Sequence, residues 1–117
     1  MRFLVVDDNE LIRRTLAGYL EDEGHAVIEA RDGQEAVTIV AHQTFDAVLM
    51  DIQMPQMDGI AATMMLRQMP ACTSLPIFAF TGLPQSVSMH QALFTTVLLK
   101  PMSPADVLEA IKPHLQP

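Results

Sequence analysis

Four apolar runs in the sequence each end on a polar residue able to do chemistry. Asp7 and Asp8 follow Phe3–Val6, Asp51 follows Ala47–Met50, Thr81 follows Ile77–Phe80, and Lys100 follows Val97–Leu99. Three carboxylates drawn into one pocket repel one another and raise one another's pKa unless a cation intervenes. Asp7, Asp8 and Asp51 therefore make a plausible Mg²⁺ site, because that hard ion takes one or two carboxylates and keeps several waters, whereas Ca²⁺ wants more oxygens. Lys100 adds a point positive charge suited to a phosphoryl oxygen, and Thr81 adds a hydroxyl donor. Phosphoryl transfer consists mainly of positioning and charge neutralisation, and it needs these parts. A carboxylate in such a pocket can itself be the nucleophile, giving an aspartyl phosphate. Each residue alone has a plainer use: Asp8 or Asn9 as a helix cap, Thr81 in a turn, Lys100 as a surface base, Asp51 capping its own loop.

These residues converge only if the elements carrying them are parallel. Continuous apolar runs at 3–6, 47–50, 76–80 and 97–99 have the pattern of strands buried on both faces, the third strand being placed at 46–50, and residues 25–29 make a further short strand. Helical segments alternate with them. The first runs from the Asp7-Asp8-Asn9 turn to about Glu23, with Ile12, Leu16, Tyr19 and Leu20 on one face, and Gly24 stops it. Asp32-Gly33-Gln34-Glu35 has capping-box spacing and opens a helix to about His42. Met54-Pro55 forces an extended turn, Asp58 caps a helix from Gly59 to Met69, and Pro70 closes it. A weakly patterned helix is expected from Pro84 to about Phe94. The last helix starts at Ser103-Pro104, with Asp106 in its first turn. Five strands alternating with five helices predict an α/β fold: a five-stranded parallel sheet with helices on both faces. Parallel strands put all their carboxyl ends on one edge, where open α/β sheets bind ligands.

Composition narrows the classes. The chain of 117 residues is half apolar, enough for one compact domain over 1–117 with a real core. With a net charge of −7 and its seven basic residues scattered, no nucleic-acid or anionic-membrane partner is expected. A lone Cys72 carries no disulfide or redox motif, and His25, His42, His90 and His114 have no metal-ligand spacing. Asp7 and Asp8 interrupt the only apolar run near the start, so no signal peptide is expected, and no run is long enough for a membrane span. The expected location is cytoplasmic.

VVDDN at 5–9, LMDIQMPQMDG at 49–59, FTG at 80–82 and LKP at 99–101 resemble the receiver domain of bacterial two-component response regulators, in the right order and over essentially the whole chain. The resemblance implies a flavodoxin-like sheet in the order 2-1-3-4-5. It implies that Asp51 is the phosphoacceptor, taking its phosphoryl group from a histidine kinase or histidine phosphotransfer protein. Mg²⁺ would be held by Asp8, Asp51 and the backbone carbonyl of Gln53, with Asp7 acting through a metal-bound water. Lys100 would pair with Asp51 and then with the phosphoryl group, Thr81 would swing in as the switch, and the Lys100-Pro101 bond would be cis. The segment MDIQMPQMDGIAAT resembles receivers attached to hybrid histidine kinases.

The sequence also departs from that family. Val97 stands where a Tyr, Phe or His usually precedes the lysine by three residues, and Gly82 follows the switch threonine where Ala is common. A phosphoacceptor switch that is not an enzyme is the reading favoured over a small Mg²⁺-dependent phosphohydrolase. Such a hydrolase would need a second acid two residues after Asp51, and that residue is Gln53. From Gln68 through Leu99 there is no Asp, Glu, Lys or Arg. The neutral face of 84–99, with Val87, Met89, Leu93 and Phe94, and with Met64 and Met65 beside it, is expected to be exposed as a surface for a homodimer or for intrachain docking.

Overall fold

The structure is a computed structural model and describes residues 1–54 and 57–115. Five strands pair in parallel in the order β2-β1-β3-β4-β5: β1 (Arg2–Val6), β2 (Ala26–Ala30), β3 (Ala47–Asp51), β4 (Ile77–Thr81) and β5 (Thr96–Leu99). Four α-helices lie between and after them: α1 (Glu10–Asp22), α2 (Gly33–Val40), α3 (Gly59–Arg67) and α4 (Pro104–Ile111).

Because successive side chains in a strand point to opposite faces, the sheet feeds two cores. Leu4, Val6, Val48, Met50, Ile77 and Ala79 pack toward α2 and α3. Phe3, Val5, Leu49, Phe78, Phe80 and Leu98 pack toward α1 and α4. The three inner strands β1, β3 and β4 are covered on both sides, which explains why their sequences are apolar without alternation.

Helix starts follow local chemistry. Asn9, not Asp8, caps α1, its side-chain oxygen accepting from the Ile12 N–H at 3.0 Å. Asp32, Asp58 and Ser103 cap α2, α3 and α4 in the same way. The reciprocal bond of the expected capping box slips by one residue, since Glu35 accepts from the Arg31 N–H. Gly24 ends α1 with φ +93°, a conformation in which a Cβ is strained.

Three expectations are corrected. On α1, Leu16 and Leu20 are buried, but Ile12 is 40 % exposed, while Arg13 is buried. Its guanidinium reaches Glu29 on β2 at 2.9 Å and the Asp7 carbonyl at 3.0 Å, so a polar anchor takes a place the apolar pattern assigned to solvent. The helix expected to Met69 ends at Arg67, and Pro70–Cys72 forms a separate 3₁₀ turn. The fourth crossover, Pro84–Leu93, is not α-helical. It is 3₁₀, with a kink at His90. The apolar residues of the segment face inward: Val87 is fully buried, Phe94 is 7 % exposed, and Leu93 packs on the α2/α3 core. The neutral segment therefore does not offer the apolar face expected of it. Met89 alone in that segment's expected set stands out, at 90 % exposed, and Met64 and Met65 on α3 are exposed as expected. The turn expected at Met54-Pro55 runs into residues outside those described.

Candidate functional site: the carboxyl edge of the sheet

Register carries the polar residues to one edge. Val6 lies opposite Met50, Asp51 opposite Phe80, and Thr81 opposite Leu99. Asp51 and Thr81 are the last residues of β3 and β4, one step earlier relative to the strand ends than the apolar runs suggested. Asp7 follows β1 directly, and its N–H donates to the Ala30 carbonyl at 3.1 Å.

The acids meet as expected. One carboxylate oxygen from each of Asp7, Asp8 and Asp51 lies within 4.8 Å of the others. Asp7 and Asp51 are buried and Asp8 is exposed, giving the pocket a closed floor and an open rim. Lys100 supplies the cation: its Nζ is 2.9 Å from Asp51 Oδ1 and 3.6 Å from Asp7 Oδ2. The same Nζ lies 5.3 Å from the centre of the Phe80 ring. The Lys100-Pro101 bond is cis. Asp7 is further oriented by the Asn9 N–H, which donates to its Oδ1 at 2.9 Å.

Burial pushes the Asp51 carboxyl up to about 6. The hydrogen bond from Lys100 opposes this, and the charge of Asp7 adds to it. Burial alone would pull Lys100 down, but its bond to Asp51 and the two acid charges outweigh that, so it titrates above an ordinary lysine. One ammonium does not neutralise three carboxylates, and an oxygen-rich pocket with one exposed acid suits a hard divalent cation. The donor set thus fits Mg²⁺.

Thr81 is fully buried, and its hydroxyl is occupied. It donates to Gln53 Oε1 at 2.8 Å and accepts from the Leu83 N–H at 3.0 Å. Gln53 Nε2 in turn donates to Ser86 Oγ at 3.1 Å.

Two contributions escaped the sequence reading. Gly59 was seen only as the start of a helix, yet a Cβ there would overlap the Asp51 carbonyl oxygen. Its N–H donates to the Ile52 carbonyl at 3.1 Å, so the absence of a side chain lets α3 close onto the end of β3. The Asp58-Gly59 pair was the available signal. The contact of the Gln53 side chain with Thr81 and Ser86 gave none, since nothing local indicates that they meet. The histidines stay outside the site: His25 and His114 pack edge-on against Phe3 and Phe78.

A buried acid, acidic neighbours and a lysine at the carboxyl edge of a 2-1-3-4-5 sheet define a flavodoxin-like α/β domain with a charged, oxygen-rich pocket at the edge where such sheets bind ligands. The family model of the response regulator receiver domain matches residues 3–112, and the chain belongs to that family. It is 34 % identical over 115 residues to the transcriptional regulatory protein ResD of Bacillus subtilis, covering 98 % of this chain and 48 % of that protein. Its structure resembles the chemotaxis response regulator CheY4 of Vibrio cholerae, with TM-score 0.90, 30 % identity and 96 % of each chain covered. It also resembles the receiver domain of a sensor histidine kinase from Pseudomonas aeruginosa, solved with a magnesium ion in its active site cleft, with TM-score 0.83, 26 % identity and coverage of 96 % and 94 %. The chain spans about half the length, or less, of the curated relatives it matches.

Proposed function

We propose that residues 1–117 form one phosphoacceptor domain, in which Asp51 takes a phosphoryl group from the phosphohistidine of a histidine kinase or histidine phosphotransfer protein. The observation that carries this reading is the Lys100–Asp51 pair at 2.9 Å beside two more carboxylates. An Asp51 oxygen forms the new O–P bond, the P–N bond of the donor breaks, and its electron pair returns to the imidazole. Lys100 then moves from a carboxylate partner to a phosphoryl oxygen, and Thr81 donates to another. Asp8, Asp51 and the Gln53 carbonyl would hold Mg²⁺, with Asp7 acting through water. Bound there, the ion would supply neutralisation of charge on the transferring group.

A deprotonated Asp51 is needed, and its raised pKa of about 6 still leaves most of the molecules ionised at neutral pH. The domain acts as a switch, not a turnover enzyme, because Gln53 stands two residues after Asp51 and its amide is tied to Thr81 and Ser86. No described helix is long and apolar enough to cross a membrane.

Incubation with acetyl phosphate and Mg²⁺ tests the proposal. Mass spectrometry should find one acid-labile phosphate per chain, lost in Asp51→Asn. Many turnovers of phosphate release, or an unchanged adduct on the variant, would overturn it.

A further inference from the structure

Resting on the switch role given to Thr81, the geometry points to Gln53 and Ser86 as positioning residues that latch Thr81 in its resting orientation and connect the phosphoacceptor loop to the fourth crossover. Four hydrogen bonds close a ring. Thr81 donates to Gln53 Oε1 (2.8 Å), Gln53 Nε2 donates to Ser86 Oγ (3.1 Å), Ser86 donates to the Leu83 carbonyl (2.6 Å), and the Leu83 N–H donates to Thr81 Oγ1 (3.0 Å). Thr81 Oγ1 also lies 3.3 Å from the Leu83 carbonyl and 3.4 Å from Ser86 Oγ, but Gln53 Oε1 is the nearest acceptor for its one proton. With that choice every hydroxyl in the ring gives one proton and accepts another. A side-chain amide is suited to this place because it accepts at one atom and donates at the other. A carboxylate at 53 could take the Thr81 proton but could not donate to Ser86.

Thr81 has one hydroxyl proton. While it goes to Gln53, it is withheld from an oxygen on Asp51, and turning Thr81 toward that oxygen opens the whole ring. The opening is transmitted because the ring spans two loops. Gln53 lies two residues beyond Asp51, and Ser86 lies in the first turn of the 3₁₀ segment, where its N–H also donates to the Leu83 carbonyl at 2.9 Å. Val97 is packed against the α2/α3 core and offers no ring to rotate. Release of Ser86 is thus the route by which the state of Thr81 reaches Pro84–Leu93.

The test uses the Mg²⁺-loaded domain, beryllofluoride as phosphoryl mimic, and NMR of the Thr81 methyl group. The wild type should hold one Thr81 rotamer without beryllofluoride, and Ser86→Ala should populate a second. Ser86→Ala should bind beryllofluoride about two- to tenfold more tightly, the range set by one net hydrogen bond. Gln53→Met, which breaks the ring from the other side, should act in the same direction, and Ser86→Thr, which keeps the hydroxyl, should restore wild-type behaviour. Wild-type affinity and a single rotamer in both Ser86→Ala and Gln53→Met would overturn the latch while leaving the phosphoacceptor reading intact. If the wild type binds no beryllofluoride and takes no phosphate, the phosphoacceptor reading fails, and the rotamer populations with Mg²⁺ alone still decide whether the ring holds Thr81.

Discussion

Asp7, Asp8, Asp51 and Lys100 occupy one part of the sheet edge and are held by charge; Gln53, Thr81, Leu83 and Ser86, beside them, are held by neutral hydrogen bonds alone. The first group is under tension. Two buried carboxylates share one ammonium, and removing that ammonium leaves charge without compensation in a poorly solvated place. The second group is balanced, and each of its bonds contributes modestly, so it can be exchanged for another arrangement at small cost. A site built to accept a dianionic group and then report on it benefits from this division. The charged part stores unfavourable energy that a bound cation would relieve, and the neutral part can rearrange without changing any protonation state.

Removing the lysine should break the comparison most severely. In Lys100→Ala, Asp51 and Asp7 face each other with no cation, and the metal-free protein should lose roughly 3 to 4 kcal/mol of stability near neutral pH. Added Mg²⁺ should recover part of it, as should acidification that protonates Asp51. Urea midpoints with Mg²⁺ and with EDTA measure this. A variant as stable as wild type in EDTA would show that the acids do not strain the fold.

The pH dependence comes next. Because Asp51 titrates near 6 in the folded chain instead of near 3.8, the folded state binds a proton between those values that the unfolded state does not. Stability therefore falls as pH rises through that window, with the full penalty above about 6 and none below the ordinary value, and it amounts to at most about 3 kcal/mol. In EDTA the wild type should be stabilised on acidification relative to Asp51→Asn, which should lack this component and be the more stable of the two at pH 7. Mg²⁺ should suppress the difference. A wild type that loses stability relative to Asp51→Asn as pH falls toward 5 would reverse the sign.

The smallest effects concern the neutral side and sharpen the contrast. Val87 is fully buried under the 3₁₀ segment, so Val87→Ala should cost about 2 kcal/mol. Met89, two residues on, is almost wholly exposed, and Met89→Glu should change stability by less than about 0.5 kcal/mol. Thermal unfolding separates the two. A large penalty at Met89 would mean that this side chain is covered.

Much of this protein was legible because its signals are local. A strand buried on both faces must be apolar throughout, so the β1 and β3 runs reveal the parallel sheet. Caps at Asp32, Asp58 and Ser103 act within three residues, and spacing alone exposes them, whereas at α1 it left Asp8 and Asn9 as alternatives. Once the strands are parallel, Asp7, Asp51, Thr81 and Lys100 must share an edge, and no long-range geometry has to be guessed. What the tertiary structure decided depends on neighbours distant in the chain. Arg13 is buried because Glu29 and the Asp7 carbonyl happen to lie above it. Val87 and Phe94 turn inward from a kinked 3₁₀ segment, a choice that weak periodicity could not convey. Gln53 finds Ser86, 33 residues away, only because β3 and β4 are adjacent, and a glutamine or a serine in a loop carries no mark of the partner it will meet.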